Sequence, residues 1–201
     1  YLDFETINNL LLKSHTKTNI GIDSDFVFMI GIGWQLPLQT KWNYKCLTVN
    51  QINLDEEKKL LIEMNKILDN FENKYGISNV IHWSHAEPNI YSKVSRRHNI
   101  YNRVKWFDLL DFFKTNKILI KGALNFSLKT IATQMSNYRM IQTNWDNLDC
   151  SSGVNAMFDS WKEYVNNDDI NKSDIMKEII KYNEVDCKTL YEILSYFRKF
   201  Y

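Results

Sequence analysis

The sequence predicts an α/β fold, because short apolar strand-like runs alternate with longer segments whose apolar residues repeat at helical spacing. Strand-like segments at residues 1–5, 26–34 and 42–49 come first, and we interpret them as an antiparallel meander. Two further short strands are predicted at residues 80–84 and 104–107. The 201 residues of the chain are enough for one sizeable core and few for two, so a single domain spanning 1–201 is expected.

The helices are predicted from apolar periodicity and capping residues. Asn53 is a predicted N-cap, and Glu56, three residues later, completes a capping box. Residues 6–25 are polar and aperiodic and are expected to form a loop, and Pro37 is expected in a turn after the second strand. The predicted helices cover residues 53–76, 127–135, 153–165 and 174–200.

The charge and the cysteine content of the chain limit which binding partners and which cellular compartment we expect. The formal net charge is +1, so no overall field attracts nucleic acid or a membrane, although a local basic patch can still bind phosphate. Three widely spaced cysteines without a Cys-x-x-Cys motif fit an intracellular reducing compartment, cytoplasm or nucleus. No stretch approaches the roughly 20 apolar residues of a membrane span. Frequent Asn, Lys, Ile and Tyr suggest an AT-rich coding genome, such as that of a large DNA virus, and the abrupt start suggests a domain excised from a longer protein.

Two carboxylates occupy the first predicted strand. Asp3 and Glu5 are two residues apart, and residues i and i+2 of a strand project from the same face. Like charges held that close repel each other, and a hard divalent cation such as Mg²⁺ or Mn²⁺ relieves the repulsion. Acidic residues at this spacing are also common on exposed strands, so the pair alone leaves both interpretations open.

Two further acids lie where a predicted strand ends and a helix begins. Glu87 precedes Pro88, which is typical of the first turn of a helix and pushes the preceding residue towards extended geometry. Asp108 follows the next predicted strand and is placed to cap the helix after it. Either acid can belong to a site, but the capping role explains Asp108 without any chemistry.

The last predicted helix carries a tyrosine and an aspartate on its apolar stripe. Tyr182 and Asp186 are spaced i, i+4, so they stack on one helix face. A carboxylate on a core-facing stripe must be paired, hydrogen-bonded or bound to metal. A buried Tyr–Asp hydrogen bond within a core satisfies this pattern as well as a metal site does.

The order of these motifs resembles that of the DEDD exonucleases in the ribonuclease-H-like superfamily, in the branch with a tyrosine in its third motif. The chain also resembles the predicted ribonuclease-H-like domains found beside RecB-type nucleases. The stretches that carry this second resemblance are residues 28–33, 106–110, 125–129 and 182–187. The resemblance implies a ribonuclease-H-like mixed sheet of about five strands, with the antiparallel meander first and helices on both faces.

The resemblance also implies an activity and a set of catalytic residues. It implies a 3′→5′ exonuclease that hydrolyses phosphodiester bonds of DNA or RNA with two divalent cations, Mg²⁺ or Mn²⁺. Asp3, Glu5 and Asp186 match the metal-binding carboxylates of the first and third motifs. Tyr182 matches the third-motif tyrosine, which orients or deprotonates the attacking water.

The second motif departs from the family pattern. Glu87 falls where an aspartate is expected, and its extra methylene shifts the position of a second cation. Asp108 is the rival second-motif acid. The alternative to an enzyme is a non-catalytic ribonuclease-H-like module that binds nucleic acid or a partner within a larger replication or repair protein.

Substrate contacts are predicted outside the acidic motifs. Lys129, at a helix start, either holds a phosphate together with the helix N-terminus or is a solvated lysine on an exposed face. His85 either contacts a phosphate beside Glu87 or is a hydrogen-bonded structural histidine. The expected partners are a single-stranded 3′ end of DNA or RNA and other domains of the same polypeptide. A basic run beside Tyr91 and Tyr101 is either a solvated face or a track for a nucleic-acid backbone whose bases stack on the tyrosines. It comprises Arg96, Arg97, His98, Arg103 and Lys105.

Overall fold

The first sheet is the predicted antiparallel meander. The computed structural model describes residues 1–36, 39–76, 79–101, 103–146, 148–150, 152–167 and 169–200. The meander contains β1 (Leu2–Ile7), β2 (Phe26–Trp34) and β3 (Asn43–Thr48), paired in that order. β2 is an almost continuously buried apolar run, as suits a central strand with both faces covered. The turn predicted at Pro37 lies outside the described residues.

The segment predicted as a loop at residues 6–25 contains regular structure at its start, so that prediction is partly wrong. β1 continues to Ile7, and a short helix, α1 (Asn9–Ser14), follows. Asn8 caps this helix by accepting a hydrogen bond from the Leu11 N–H (2.9 Å). A helix of fewer than two turns is too short to show apolar periodicity, so the cap and the burial of Leu12 stabilise it instead.

Two parallel strands form the second sheet. β4 (Asn79–His82) and β5 (Lys105–Asp108) are joined by helix α3 (Ala86–Arg97), the crossover connection that a parallel pair requires. β4 contacts β1, which joins the two sheets. The mixed arrangement of five strands, meander first, agrees with the prediction.

The remaining helices agree closely with the predicted segments. They are α2 (Leu54–Tyr75), α4 (Leu109–Thr115), α5 (Leu128–Asn137), α6 (Gly153–Asn166) and α7 (Asp174–Phe200), with a 3-10 helix at Ile170–Lys172. Asn53 caps α2 as predicted, accepting from the Glu56 N–H (2.9 Å). The Glu56 carboxylate binds Asn50 and Lys59 and not the Asn53 N–H, so only half of the capping box forms. Within the described ranges, every helix is too short or too polar to cross a membrane.

Helices cover both faces of the meander. Successive residues of β2 point to opposite faces. Gly31 lies beneath α7, where an added Cβ would come within 1.6 Å of Asn183 Oδ1, so this close approach requires glycine. Trp34 points to the other face, and its ring centroid is 5.2 Å from that of Phe71 in α2. The expectation of a single domain excised from a longer protein stays a prediction.

Candidate metal centre

Three carboxylates converge between the first strand and the last helix. Asp3 and Glu5 project from the face of β1 that α7 covers, and Asp186 reaches the same place from α7. Oxygens of the three side chains lie within 4.8 Å of one another, a spacing at which one cation could contact all three. Glu5 and Asp186 are buried, and Asp3 is half-buried. The structure therefore brings these three predicted residues together.

Asn183 connects the two carboxylates of β1. Its Nδ2 donates to Asp3 Oδ2 (2.7 Å) and to Glu5 Oε1 (3.2 Å), and the side chain is fully buried. The Tyr44 hydroxyl, in β3, donates to Asn183 Oδ1 (2.9 Å). Both ends of the amide are therefore engaged in the space that Gly31 leaves open.

An indole and a phenol hold Asp186. Trp145 Nε1 donates to Asp186 Oδ1 (2.9 Å), and both side chains are buried. Tyr182, one helical turn earlier, also forms a side-chain hydrogen bond with Asp186. The Lys129 ammonium lies 5.7 Å from the centroid of the Trp145 ring, and its charge acts on Asp186. The structure thus brings Lys129 close to the acidic group, as its predicted contact with substrate requires.

The three carboxylates resist ionising together. Burial raises the pKa of Asp186 to about 7, and the hydrogen bonds from Trp145 and Tyr182 oppose the rise only in part. Burial also raises the pKa of Glu5, and the negative charge of Asp186 raises it further, to about 8. The pKa of Asp3 rises well above its ordinary value through burial and then through the charge of Glu5. A divalent cation would balance the charge of the ionised group.

Glu87 lies beside this group and not within it. Glu87 is buried in the first turn of α3, and its backbone is helical, so the extended geometry predicted for it is wrong. Pro88 is tolerated here because the backbone N–H groups of the first helical turn have no intrahelical partner. Glu87 is outside the set of oxygens that lie within 4.8 Å of one another. Its negative charge nonetheless adds to the effect of burial in raising the pKa of Asp186.

One oxygen of Glu87 is unsatisfied. Within the described residues, Glu87 Oε2 makes no hydrogen bond, and the nearby His82 Nδ1, at 3.5 Å, also makes none. A buried carboxylate oxygen without a partner is costly. A second cation would satisfy this atom.

Asp108 is a helix cap, which is one of the two roles that the sequence leaves open for it. Its Oδ1 accepts the N–H groups of Leu110 (2.9 Å) and Asp111 (3.3 Å) at the start of α4, and of Ser84 (2.9 Å) after β4. Its Oδ2 is 3.6 Å from Nδ1 of His85, an exposed side chain. The structure does not bring Asp108 into the group of three, and capping together with tethering of the Ser84 loop accounts for it.

Most of the predicted basic run is paired within the protein. Arg97 and His98 both bind the buried carboxylate of Glu57, at 2.6 Å and 2.7 Å. The other pairs are Arg103 with Asp69 (2.5 Å) and Lys105 with Glu72 (3.1 Å). Tyr91 is fully buried and its hydroxyl binds Asn65, so it offers no surface for a base. Tyr101, the other tyrosine of this prediction, is exposed and can still stack on a base, but the paired side chains give a track for a nucleic-acid backbone little support.

The sequence patterns do not identify two residues of this site. Asn183 carries a usable signal, because it precedes Asp186 by three residues and so shares its helix face. Trp145 lies in the connection between α5 and α6, where no periodicity indicates its orientation. Only the tertiary fold shows that its indole reaches Asp186.

Fold and site together define an α/β protein with an acidic centre suited to divalent cations. Residues 17–198 match the RNase_H_2 family model of the RNase_H superfamily, so the chain belongs to that superfamily. Its members are mostly nucleases that use divalent metals. Searches among curated proteins and among solved structures found no match. The matched range begins after β1, so the location of Asp3 and Glu5 in the site rests on the structure.

Proposed function

We propose that this protein is a divalent-metal-dependent 3′→5′ exonuclease that hydrolyses phosphodiester bonds of DNA or RNA. The convergence of Asp3, Glu5 and Asp186 carries the proposal, because their oxygens lie within 4.8 Å of one another. Membership of a superfamily made mostly of nucleases supports hydrolysis as the reaction. The Tyr-x-x-x-Asp spacing of Tyr182 and Asp186 supports the DEDD branch with a tyrosine, and with it the 3′→5′ direction.

The donor set suits Mg²⁺ or Mn²⁺. Every candidate ligand is a carboxylate oxygen, the type that hard divalent cations prefer. Asp3, Glu5 and Asp186 would hold one cation, and the unpartnered Glu87 Oε2 would help to hold a second. Bound there, the cations would lower the pKa of a water and offset the charge that develops on the leaving oxygen.

Tyr182 orients the attacking water in this proposal. Burial, followed by the negative charge of Asp186, raises the pKa of Tyr182 above its ordinary value. In the metal-free protein the phenol therefore keeps its proton at neutral pH, and the proposal gives it an orienting role through hydrogen bonds. Its hydrogen bond with Asp186 supports a location at the edge of the acidic group.

Lys129 and His85 would contact substrate phosphates. Lys129 is the second residue of α5, where the free N–H groups of the first turn also favour an anion. The charge of Lys129 acts on Asp186, which supports a position near the reacting phosphate. His85 is exposed at the start of α3, next to the turn that carries Glu87. A single-stranded 3′ end is the proposed substrate.

Degradation of labelled single strands tests the proposal. A 5′-labelled DNA or RNA strand incubated with Mn²⁺ should shorten from its 3′ end and release nucleoside 5′-monophosphates. Asp186→Asn should abolish this degradation, whereas the matched change Asp111→Asn, at an exposed carboxylate, should preserve it. Absence of degradation with both Mg²⁺ and Mn²⁺, or its persistence in Asp186→Asn, would overturn the proposal. Tight binding of strands without degradation would favour the non-catalytic module.

Two isosteric changes separate the candidate second-motif acids. Glu87→Gln removes a charge beside the acidic group and should weaken both Mn²⁺ binding and strand degradation. Asp108→Asn keeps a side chain that caps helices well, so the fold and the Mn²⁺ affinity should both be retained. The opposite pattern would assign the role to Asp108.

A further inference from the structure

We propose that Asn183 is a positioning residue, which orients the Asp3 and Glu5 carboxylates for the cation. The inference rests on the proposed function, because it assigns a role within the same acidic site. Asn183 itself is not a ligand, since its Nδ2 carries two hydrogens and its Oδ1 is engaged by the Tyr44 hydroxyl. It acts through the two carboxylates that it contacts.

The hydrogen-bond network fixes the direction of the amide. Asn183 Nδ2 faces two carboxylate oxygens, and its Oδ1 faces the Tyr44 hydroxyl. With a cation bound, both carboxylates are ionised and only accept hydrogen bonds, so the nitrogen and not the oxygen of the amide must face Asp3 and Glu5. A flipped amide would place Asn183 Oδ1 against the oxygens of Asp3 and Glu5, and three buried acceptors without a donor are costly in free energy.

This contact engages one oxygen of each side chain. Asp3 Oδ2 and Glu5 Oε1 each accept an N–H of Asn183, at 2.7 Å and 3.2 Å. Asp3 and Glu5 also form a side-chain hydrogen bond with each other, which a bound cation would replace. Asp3 Oδ1 and Glu5 Oε2, which do not contact Asn183, are the candidate cation ligands. With the amide as a common donor, the two side chains are held in one arrangement despite their mutual repulsion.

A neutral donor suits a cation site better than a charged one. An ammonium or guanidinium group in the place of Asn183 would neutralise the carboxylates permanently and compete with the incoming cation. The amide stabilises both carboxylates through hydrogen bonds and leaves their negative charge for the metal. Partners of this kind orient metal ligands and tune their affinity.

Three elements hold Asn183 in place. Gly31 of β2 leaves the necessary space, since a Cβ there would lie 1.6 Å from Asn183 Oδ1. Tyr44 of β3 donates to the same oxygen and also lies 3.4 Å from the Ile180 carbonyl. α7 places Asn183 one turn before Asp186, on the same face. Such support from several elements is what a fixed ligand geometry requires.

Titration of Mn²⁺ into the protein, followed by calorimetry, tests the inference without any assay of activity. Asn183→Leu keeps a similar shape and removes both donors, and we expect the Kd for Mn²⁺ to rise about 10- to 100-fold. Tyr44→Phe removes only the hydroxyl that holds the amide, and we expect a smaller rise. The control is Ile193→Ala, which removes core packing two helical turns beyond Asp186 and should leave the Kd unchanged.

The outcomes separate this inference from the proposed function. Wild-type Kd values in both Asn183→Leu and Tyr44→Phe would overturn the positioning role and leave the metal site intact. A wild-type protein that binds no Mn²⁺ would overturn the proposed function and the inference together. If Asn183→Leu does not fold, Tyr44→Phe decides alone: a raised Kd supports the role, and an unchanged Kd refutes it.

Discussion

Replacing Asp186 by asparagine should stabilise the metal-free protein at alkaline pH. The change removes one negative charge from a buried acidic group and keeps an Oδ1 that can accept from Trp145 Nε1. An acid whose pKa is higher in the folded state contributes stability that is fully present below its unfolded pKa of 3.8. That contribution is lost as the pH rises through about 7, where folded Asp186 must ionise.

The expected gain follows from the size of this rise in pKa. A change of one pKa unit corresponds to about 1.4 kcal/mol of free energy. The rise of the Asp186 pKa from 3.8 to about 7 therefore limits the stability gained in Asp186→Asn to roughly 4 kcal/mol. Asp3 and Glu5 titrate together with Asp186, so part of the cost is shared and about half of it should be recovered. A gain of about 2 kcal/mol raises Tm by about 4–8 °C in a chain of this size.

Thermal unfolding followed by circular dichroism, with a chelator present, measures the effect. The advantage of Asp186→Asn should be greatest near pH 8 and should disappear near pH 4, where wild-type Asp186 is protonated in the folded state and half-protonated in the unfolded state. Asp111→Asn should stay within about 0.5 kcal/mol of wild type at both pH values. Saturating Mn²⁺ should reverse the order by stabilising the wild type more. A lower Tm for Asp186→Asn near pH 8, or a gain independent of pH, would refute the reasoning.

Three further changes test the surroundings of the site by urea unfolding. Gly31→Ala should lower the free energy of unfolding by about 1–3 kcal/mol, because the new methyl group would clash with Asn183. The control Gly153→Ala places its methyl in open space at a helix start and should be neutral or stabilising. Equal effects of the two changes would argue against the clash. Asp108→Ala removes a helix cap, so it should lower the free energy of unfolding by about 0.5–2 kcal/mol while the protein keeps its affinity for Mn²⁺. A loss of Mn²⁺ affinity in this variant would instead place Asp108 in the metal site. Glu57→Gln should cost about 3–5 kcal/mol, because it removes the carboxylate charge that pairs with the mostly buried Arg97 guanidinium. A neutral result would show that water replaces the carboxylate.

Local patterns predict the frame of this protein well. The apolar run of β2 and the i, i+4 stripe of α7 are strong periodic signals, and both elements have the predicted extents within a residue. The alternation of β1 correctly places Asp3 and Glu5 on one face, and the stripe of α7 places Asp186 opposite them.

Tertiary contacts explain what the patterns could not predict. Trp145 donates to Asp186 across 41 positions of sequence, and Tyr44 reaches Asn183 across 139. No periodicity encodes such contacts. The basic run is misleading for the same reason, since Arg97 is neutralised by Glu57, an acid 40 positions earlier on another helix.

The acid Glu57 and the acidic group of Asp3, Glu5 and Asp186 are both buried, but they have different kinds of hydrogen-bond partner. Glu57 is fully buried, and its carboxylate receives the Val27 N–H, the Arg97 guanidinium and the His98 ring, so a core acid here is given a cationic partner. Asp3 and Glu5 instead bind the neutral amide of Asn183 and form a hydrogen bond with each other, and Asp186 binds the side chains of Trp145 and Tyr182. One lysine charge acts on Asp186, against three carboxylates in the group and Glu87 beside it. Because their hydrogen-bond donors are neutral, the acids repel one another and their pKa values are raised, and a divalent cation bound there would relieve this repulsion.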